Sequence, residues 1–303
     1  MITLSKDLAK MHFLVIIWGF TAILGQLISI PPVEVVFYRT LLAATGLFII
    51  LIWKKESLSV KWNEVIKLMG IGALIAVHWI FFFAAARVST VSVCLAGMAT
   101  TSLFTSFTEP IIFKRRVYFH EVFLGLVIIA GLYVIFHFEF DHALGLIYAL
   151  LSAFLAALFS VLNAKVSHRH SHIYITFYEM VGAFFSILLF IPFYSIYFTD
   201  SGLQLVPENL DWLWLFLLAG VCTVYAYSQW VEIMKRLTAF ATSLIINLEP
   251  VYGIVLALII FGEKEKMDFG FYIGTAIILL SVFLYPVLNK IHRRKQPTPQ
   301  ELL

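Results

Sequence analysis

Charge is scarce in this chain. Asp, Glu, Lys and Arg make up 13% of its 303 residues while 61% are hydrophobic, against roughly 25% charged in an ordinary soluble domain. So little charge cannot keep a soluble surface wet, and the chain reads as an integral membrane protein. Cysteine is nearly absent too: Cys94 and Cys222 both sit inside apolar stretches, which predicts buried free thiols rather than a disulfide. No P-loop, G-x-S-x-G, H-E-x-x-H or paired C-x-x-C pattern occurs, so ATP-driven transport, serine hydrolysis and zinc proteolysis have no sequence basis. No residue pattern points to a cofactor or to nucleic acid.

What the chain has instead is length in its apolar runs. Ten segments approach the ~20 residues that a bilayer requires: 8–30, 33–53, 65–86, 88–113, 118–138, 143–163, 173–197, 210–234, 237–261 and 269–288. The expected fold is all-α, with ten transmembrane helices and no soluble domain in the short connections. The first segment follows Lys6 and Lys10. It runs too long for a cleaved signal and has no A-x-A end, so it is expected to stay as a helix. With the N-terminus in the cytoplasm, the loops holding Lys54, Lys55, Lys61, Lys67, Lys114, Arg115, Arg116, Lys165, Arg169, Lys235, Arg236, Lys290 and Arg293 to Lys295 all face inward. Arg87, Lys264 and Lys266 alone would face out, beside acidic loops holding Glu139, Asp141, Asp200, Glu208, Asp211, Glu263, Glu265 and Asp268. That asymmetry predicts both termini in the cytoplasm of a multi-pass protein of the cell (inner) membrane.

The chain also repeats itself. Phe37 opens F-Y-R and Phe177 opens F-Y-E, which aligns Arg39 with Glu179; carried onward, the alignment sets Arg87 on Arg236, Thr100 on Glu249, Thr101 on Pro250 and Gly125 on Gly274. Residues 1–138 and 139–289 then form two repeats of five helices, with 290–303 a cytoplasmic tail. Because five is odd, the second repeat enters the membrane from the other side. Inverted repeats of this kind place a site near the midplane and permit alternating access.

The ninth segment carries Asn247, Glu249 and Pro250 at its middle, where an ionisable group costs at least a few kcal/mol and faces a bundle interior or a wet cavity. On a helical wheel these residues share an arc of roughly 160° with Thr242, Ser243, Gly253 and Ala257. Pro250 has no N–H for the Ile246 carbonyl, which adds a free acceptor to that face. The fourth segment, aligned with it, presents Thr100, Thr101 and Thr105. The expected substrate-binding set is therefore Glu249 as proton or amine partner, Asn247, Thr100 and Thr101 as hydrogen-bonding groups, and Trp18, Trp79 and Tyr227 as aromatic walls. His78 joins it, to bond substrate or to exchange a proton with Glu249. Arg39 and Glu179 are read as gating or structural charges, whose depths on opposite sides argue against a direct pair. The cavity is expected between segments one, three, four, six, eight and nine. The His168-Arg169-His170-Ser171-His172 run has no carboxylate or cysteine beside it in sequence and reads as a solvated loop rather than a metal site.

The ten segments, Trp18-Gly19, the F-Y-R of the second segment, and Pro250 and Glu263 followed by Gly274 resemble the EamA-type families of the drug/metabolite transporter superfamily. The resemblance spans both halves. It implies an exporter of a small organic metabolite or drug, with a central cavity and with the fifth and tenth helices peripheral. Two other readings stand beside it: an importer or antiporter of the same fold, for example of nucleotide sugars, and a polytopic membrane enzyme using His78 and Glu249 as acid and base.

Overall fold

Inside a bilayer the backbone must satisfy its own N–H and C=O groups, so long apolar runs become helices or closed barrels. The computed structural model describes residues 2–56, 61–114, 119–199, 202–208 and 210–294, and these contain helices and no strand. Arg115, Arg116, Asp200 and Lys295, with the rest of the tail, lie outside the described residues. In chain order the helices are α1 (Ile2–Leu27), α2 (Pro32–Trp53), α3 (Trp62–Val88), α4 (Val91–Met98), α5 (Thr101–Phe113), α6 (Phe119–Phe138), α7 (Ala143–Val166), α8 (His172–Tyr197), α9 (Asp211–Ala219), α10 (Ala226–Ile233), α11 (Ala239–Ile246), α12 (Glu249–Phe261) and α13 (Phe269–Arg294). A π-helical turn, Gly220–Tyr225, joins α9 to α10. Counting α4 with α5 and α9 with α10, 7 helical stretches among the described residues are long and apolar enough to cross a membrane; Val122–Phe138 and Phe269–Ser281 are shorter apolar helices.

The fourth and ninth segments are not the continuous helices expected from hydropathy. Each breaks near its middle, and Pro250 is not the general cause. It is the second residue of α12, where no N–H is needed, and the α4–α5 break has the same form with no proline. Thr90 and Thr238 cap the two segments by accepting from Val93 N and Ala241 N, both at 3.1 Å. The turns before the breaks tighten through Thr100 N to Gly97 O at 3.1 Å and Leu248 N to Ile245 O at 3.0 Å. Thr101 and Glu249 each open the helix that follows the break.

Glycines let helices meet backbone to backbone, the usual device where the surrounding solvent gives little apolar driving force. A Cβ on Gly182 of α8 would strike the Met69 backbone of α3, and one on Gly72 would strike the Glu179 carbonyl. A Cβ on Gly19 of α1 would lie 3.4 Å from Gly253 N of α12, and one on Gly131 of α6 would lie 2.9 Å from Gly274 O of α13.

Polar clamps tie both ends of the bundle. At one end Arg236 Nε meets Asp7 Oδ2 at 2.6 Å, Arg169 Nη1 meets Glu64 Oε1 at 3.1 Å and His172 Nδ1 lies 3.0 Å from Glu232 Oε2. Ser171 also hydrogen-bonds Glu56. The histidine run keeps His168 and Arg169 exposed, as a solvated loop would, while Arg169, Ser171 and His172 reach carboxylates on other helices that its sequence neighbours lack. At the other end Glu265 accepts from Val91 N at 3.0 Å, Ser92 N at 2.9 Å and Ser92 Oγ at 2.8 Å, which caps α4 from the far side of the chain. Asp211 holds Ser29 there in the same way, with Ser29 N at 2.9 Å. Cys94 and Cys222 are buried and free.

Candidate functional site

A cavity of about 90 Å³ lies among the helices, room for several waters or a small polar group. α1 contributes Trp18 and Thr21, α3 contributes His78, Trp79 and Phe82, and α7 contributes Ala156, Phe159 and Ser160. Tyr227 and Trp230 come from α10. Both broken segments reach it at their breaks, through Met98 and Thr101 on one side and Ile246 and Glu249 on the other. Arg39 enters from α2, a helix not expected to line it.

The two charges are held in different ways. Arg39 is 2% exposed, with its guanidinium carbon 3.6 Å from the centre of the Trp79 ring and 5.8 Å from that of Phe83. Its Nε donates to Thr223 Oγ1 at 2.9 Å, while Nη1 is buried without a partner. Thr223 can face Arg39 because the π turn offsets α10 from α9; its own hydroxyl bonds the Leu218 carbonyl at 2.9 Å, and Cys222 O in the same turn accepts from Trp18 Nε1 at 3.1 Å. Single π turns of this kind concentrate at functional sites. Glu249, 8% exposed, is the first residue of α12, where the helix dipole favours a carboxylate. Among the described residues no ion pair joins Arg39 to Glu249, although both face the same cavity and Arg39 acts electrostatically on Glu249.

The aromatic wall is a chain of edge contacts. Trp230 stands edge-on to Trp18 with ring centres 6.1 Å apart and to Phe159 at 6.1 Å, and Tyr227 lies 5.1 Å from Trp230 and 6.5 Å from Trp79. His78 is fixed by α7. Ser152 Oγ donates to the His78 carbonyl at 3.0 Å, so His78 Nδ1, 2.9 Å from Ser152 O and 2.8 Å from Ser152 Oγ, carries the proton. Nε2 is then left as an acceptor.

Seven of the ten residues singled out in the sequence therefore meet in one cavity: Trp18, Arg39, His78, Trp79, Thr101, Tyr227 and Glu249. Thr100 does not line it. Its hydroxyl, like that of Thr101, turns back 2.7 Å onto the carbonyl three residues earlier, Gly97 O for Thr100 and Met98 O for Thr101. Asn247 lies at the other break, buried, with both amide atoms unpartnered. Glu179 sits behind Tyr227 rather than in the cavity. α7, the sixth segment, lines the cavity as expected, but sequence reading named none of its residues, although Ser152, Ala156, Ser160 and Asn163 recur at helical spacing as one small, polar, buried stripe.

Comparison with known proteins bears on the fold and the family. A crystal structure 18% identical to this chain superposes with a TM-score of 0.66, covering 96% of this chain and 99% of its own, so the two share a fold. An uncharacterized transporter of Archaeoglobus fulgidus is 24% identical over 294 residues, which is 92% of this chain and 97% of its own. The uncharacterized transporter YxxF of Bacillus subtilis is 22% identical over 271 residues, 87% of this chain and 84% of its own. The profile of the EamA-like transporter family matches twice, at residues 10–137 and 143–285, and the chain therefore belongs to that family as a multi-pass membrane transporter.

Proposed function

We propose that the protein is a secondary active transporter that exports a small organic metabolite across the cell membrane by alternating access, with ten spanning helices in two inverted five-helix repeats and both termini in the cytoplasm. One observation carries this reading: a cavity where both broken segments meet, bearing a cation and a carboxylate that do not neutralise each other. Half-helix ends turned toward a buried site are how carriers of inverted-repeat design hold charged solutes. The matching caps and breaks of α4–α5 and α11–α12 support the repeat, as does the paired meeting of α6 with α13.

The arrangement fits a solute with an anionic group for Arg39, a cationic group for Glu249, and an apolar or aromatic body for Trp18, Phe159, Tyr227 and Trp230. One buried guanidinium matches one carboxylate better than a polyphosphate. Among the described cavity residues no hydroxyl hydrogen-bonds His78 Nε2 or Glu249, and carriage explains the two groups better than catalysis does. The test is counterflow in vesicles containing the purified protein, preloaded in turn with amino acids, amines, nucleosides or sugars. Accelerated exchange of a solute bearing both charges is expected; chemical conversion of a solute or lipid without exchange would overturn the carrier reading.

A further inference from the structure

Glu179, on α8, is fully buried, and neither of its oxygens has a hydrogen-bond partner. Its polar neighbours are the Tyr227 hydroxyl from α10 and the Asn163 amide from α7. Asn163 Nδ2 donates to the Tyr227 hydroxyl at 2.7 Å, while Asn163 Oδ1 is buried and unpartnered. Among both Glu179 oxygens, Asn163 Oδ1 and the Tyr227 oxygen, only the Asn163–Tyr227 contact has full hydrogen-bond geometry, with Tyr227 and Asn163 both close enough to act on Glu179.

Among the described residues no cation acts on Glu179. α2 and α3 turn Arg39 and His78 into the cavity, and α3 presents the backbone of Gly72 beside Glu179. Glu64 is held by Lys67 and Arg169, Glu232 by His172, Lys235 and Arg236, and Arg87 by the carbonyls of Gly25 and Ile30. Of the titratable groups on α2, α3, α7 and α10, Tyr227 alone faces Glu179. A proton is the smallest addition that satisfies the cluster. Protonated, Glu179 supplies the missing donor, and the Tyr227 O–H can donate to the second carboxyl oxygen. Ionised, Glu179 can instead accept from Asn163 once the amide turns away from Tyr227. The Tyr227 ring, packed on Trp79, Phe159 and Trp230, forms part of the cavity wall.

We propose that Glu179 is a proton-binding site one layer behind the cavity, and that Tyr227 passes its protonation state to the aromatic wall. Resting on the carrier reading, this makes Glu179 the carboxyl through which protons couple to transport, with Glu249 left to the solute.

Infrared difference spectra between acid and alkaline pH test the site directly in purified protein in lipid. A protonated-carboxyl band that titrates in the natural protein should vanish in Glu179→Gln and persist in Glu249→Gln. Asn163→Leu, which leaves the carboxyl in place, should move its midpoint by about one pH unit or more. Tryptophan fluorescence should follow the same titration and lose that dependence in Tyr227→Phe. A band unchanged in Glu179→Gln, or an unmoved midpoint in Asn163→Leu, overturns the proton site even if vesicles transport normally. A band lost as expected, in protein that moves no solute, upholds the site and removes the carrier reading instead.

Discussion

Arg39 sits over Trp79, with its guanidinium carbon 3.6 Å from the ring centre, Nε bound to Thr223 and Nη1 buried without a partner. Stacking of this kind, out of water, contributes about 2 kcal/mol. Lysine keeps the charge but neither the plane nor the fork. Arg39→Lys should therefore weaken binding of a carboxylate-bearing solute by about 1.5–3 kcal/mol, roughly ten- to a hundred-fold. Titration calorimetry on the purified protein reads this, and an unchanged affinity would place Arg39 outside the ligand's reach.

Glu249→Gln removes a charge from the same cavity without removing bulk. Solutes with an amine should lose roughly ten-fold or more in affinity, the worth of one charge-assisted hydrogen bond. Otherwise similar solutes without the amine should bind both proteins alike. A thermal-shift screen run on both proteins separates the cases, and equal loss for the two solute classes would mean that Glu249 holds the cavity's shape and not the ligand.

Thr223 reaches Arg39 only through the π turn. Thr223→Val keeps the volume and leaves a buried guanidinium N–H unpartnered, which should lower stability by about 1–3 kcal/mol. Thr223→Ser should retain most of it. Thermal unfolding followed by circular dichroism compares the two; equal melting of both variants would show that the hydroxyl bond to Arg39 is not what holds the turn.

Glu265 caps α4 through three hydrogen bonds, and Cys94, fully buried one turn further along, donates to the Phe82 carbonyl at 3.3 Å. In Glu265→Ala the first turn of α4 should loosen, and a maleimide should label Cys94 several-fold faster in a Cys222→Ala background. Labelling at the parent rate would show that α4 is held by packing alone.

Two glycines on facing helices should respond with opposite signs. Gly182→Ala forces α8 away from the Met69 backbone and should cost about 1–3 kcal/mol. Gly70→Ala meets nothing within 4 Å, so its effect should be a gain of about 0.5–1 kcal/mol from helix propensity. Melting temperatures in one detergent decide it.

The sequence alone determined what local chemistry and one dimension can carry. Apolar runs of spanning length dictate helices because lipid offers the backbone no other partner. Glu249 stands out because charge at membrane depth is rare. Tertiary structure decided the rest, for reasons of distance. Arg39 becomes a cavity group where α3 sets Trp79 against it and a π turn far along the chain sets Thr223 beside it, and no period in the sequence announces an extra residue in a turn. Thr100 reads as a free hydroxyl, yet it bonds Gly97 O and stays out of the cavity. Glu179 reads as the counterpart of Arg39, yet its environment is made by Tyr227 and Asn163 from two other helices. Which buried groups find partners, and which are left for a solute or a proton, is settled where helices distant in sequence meet.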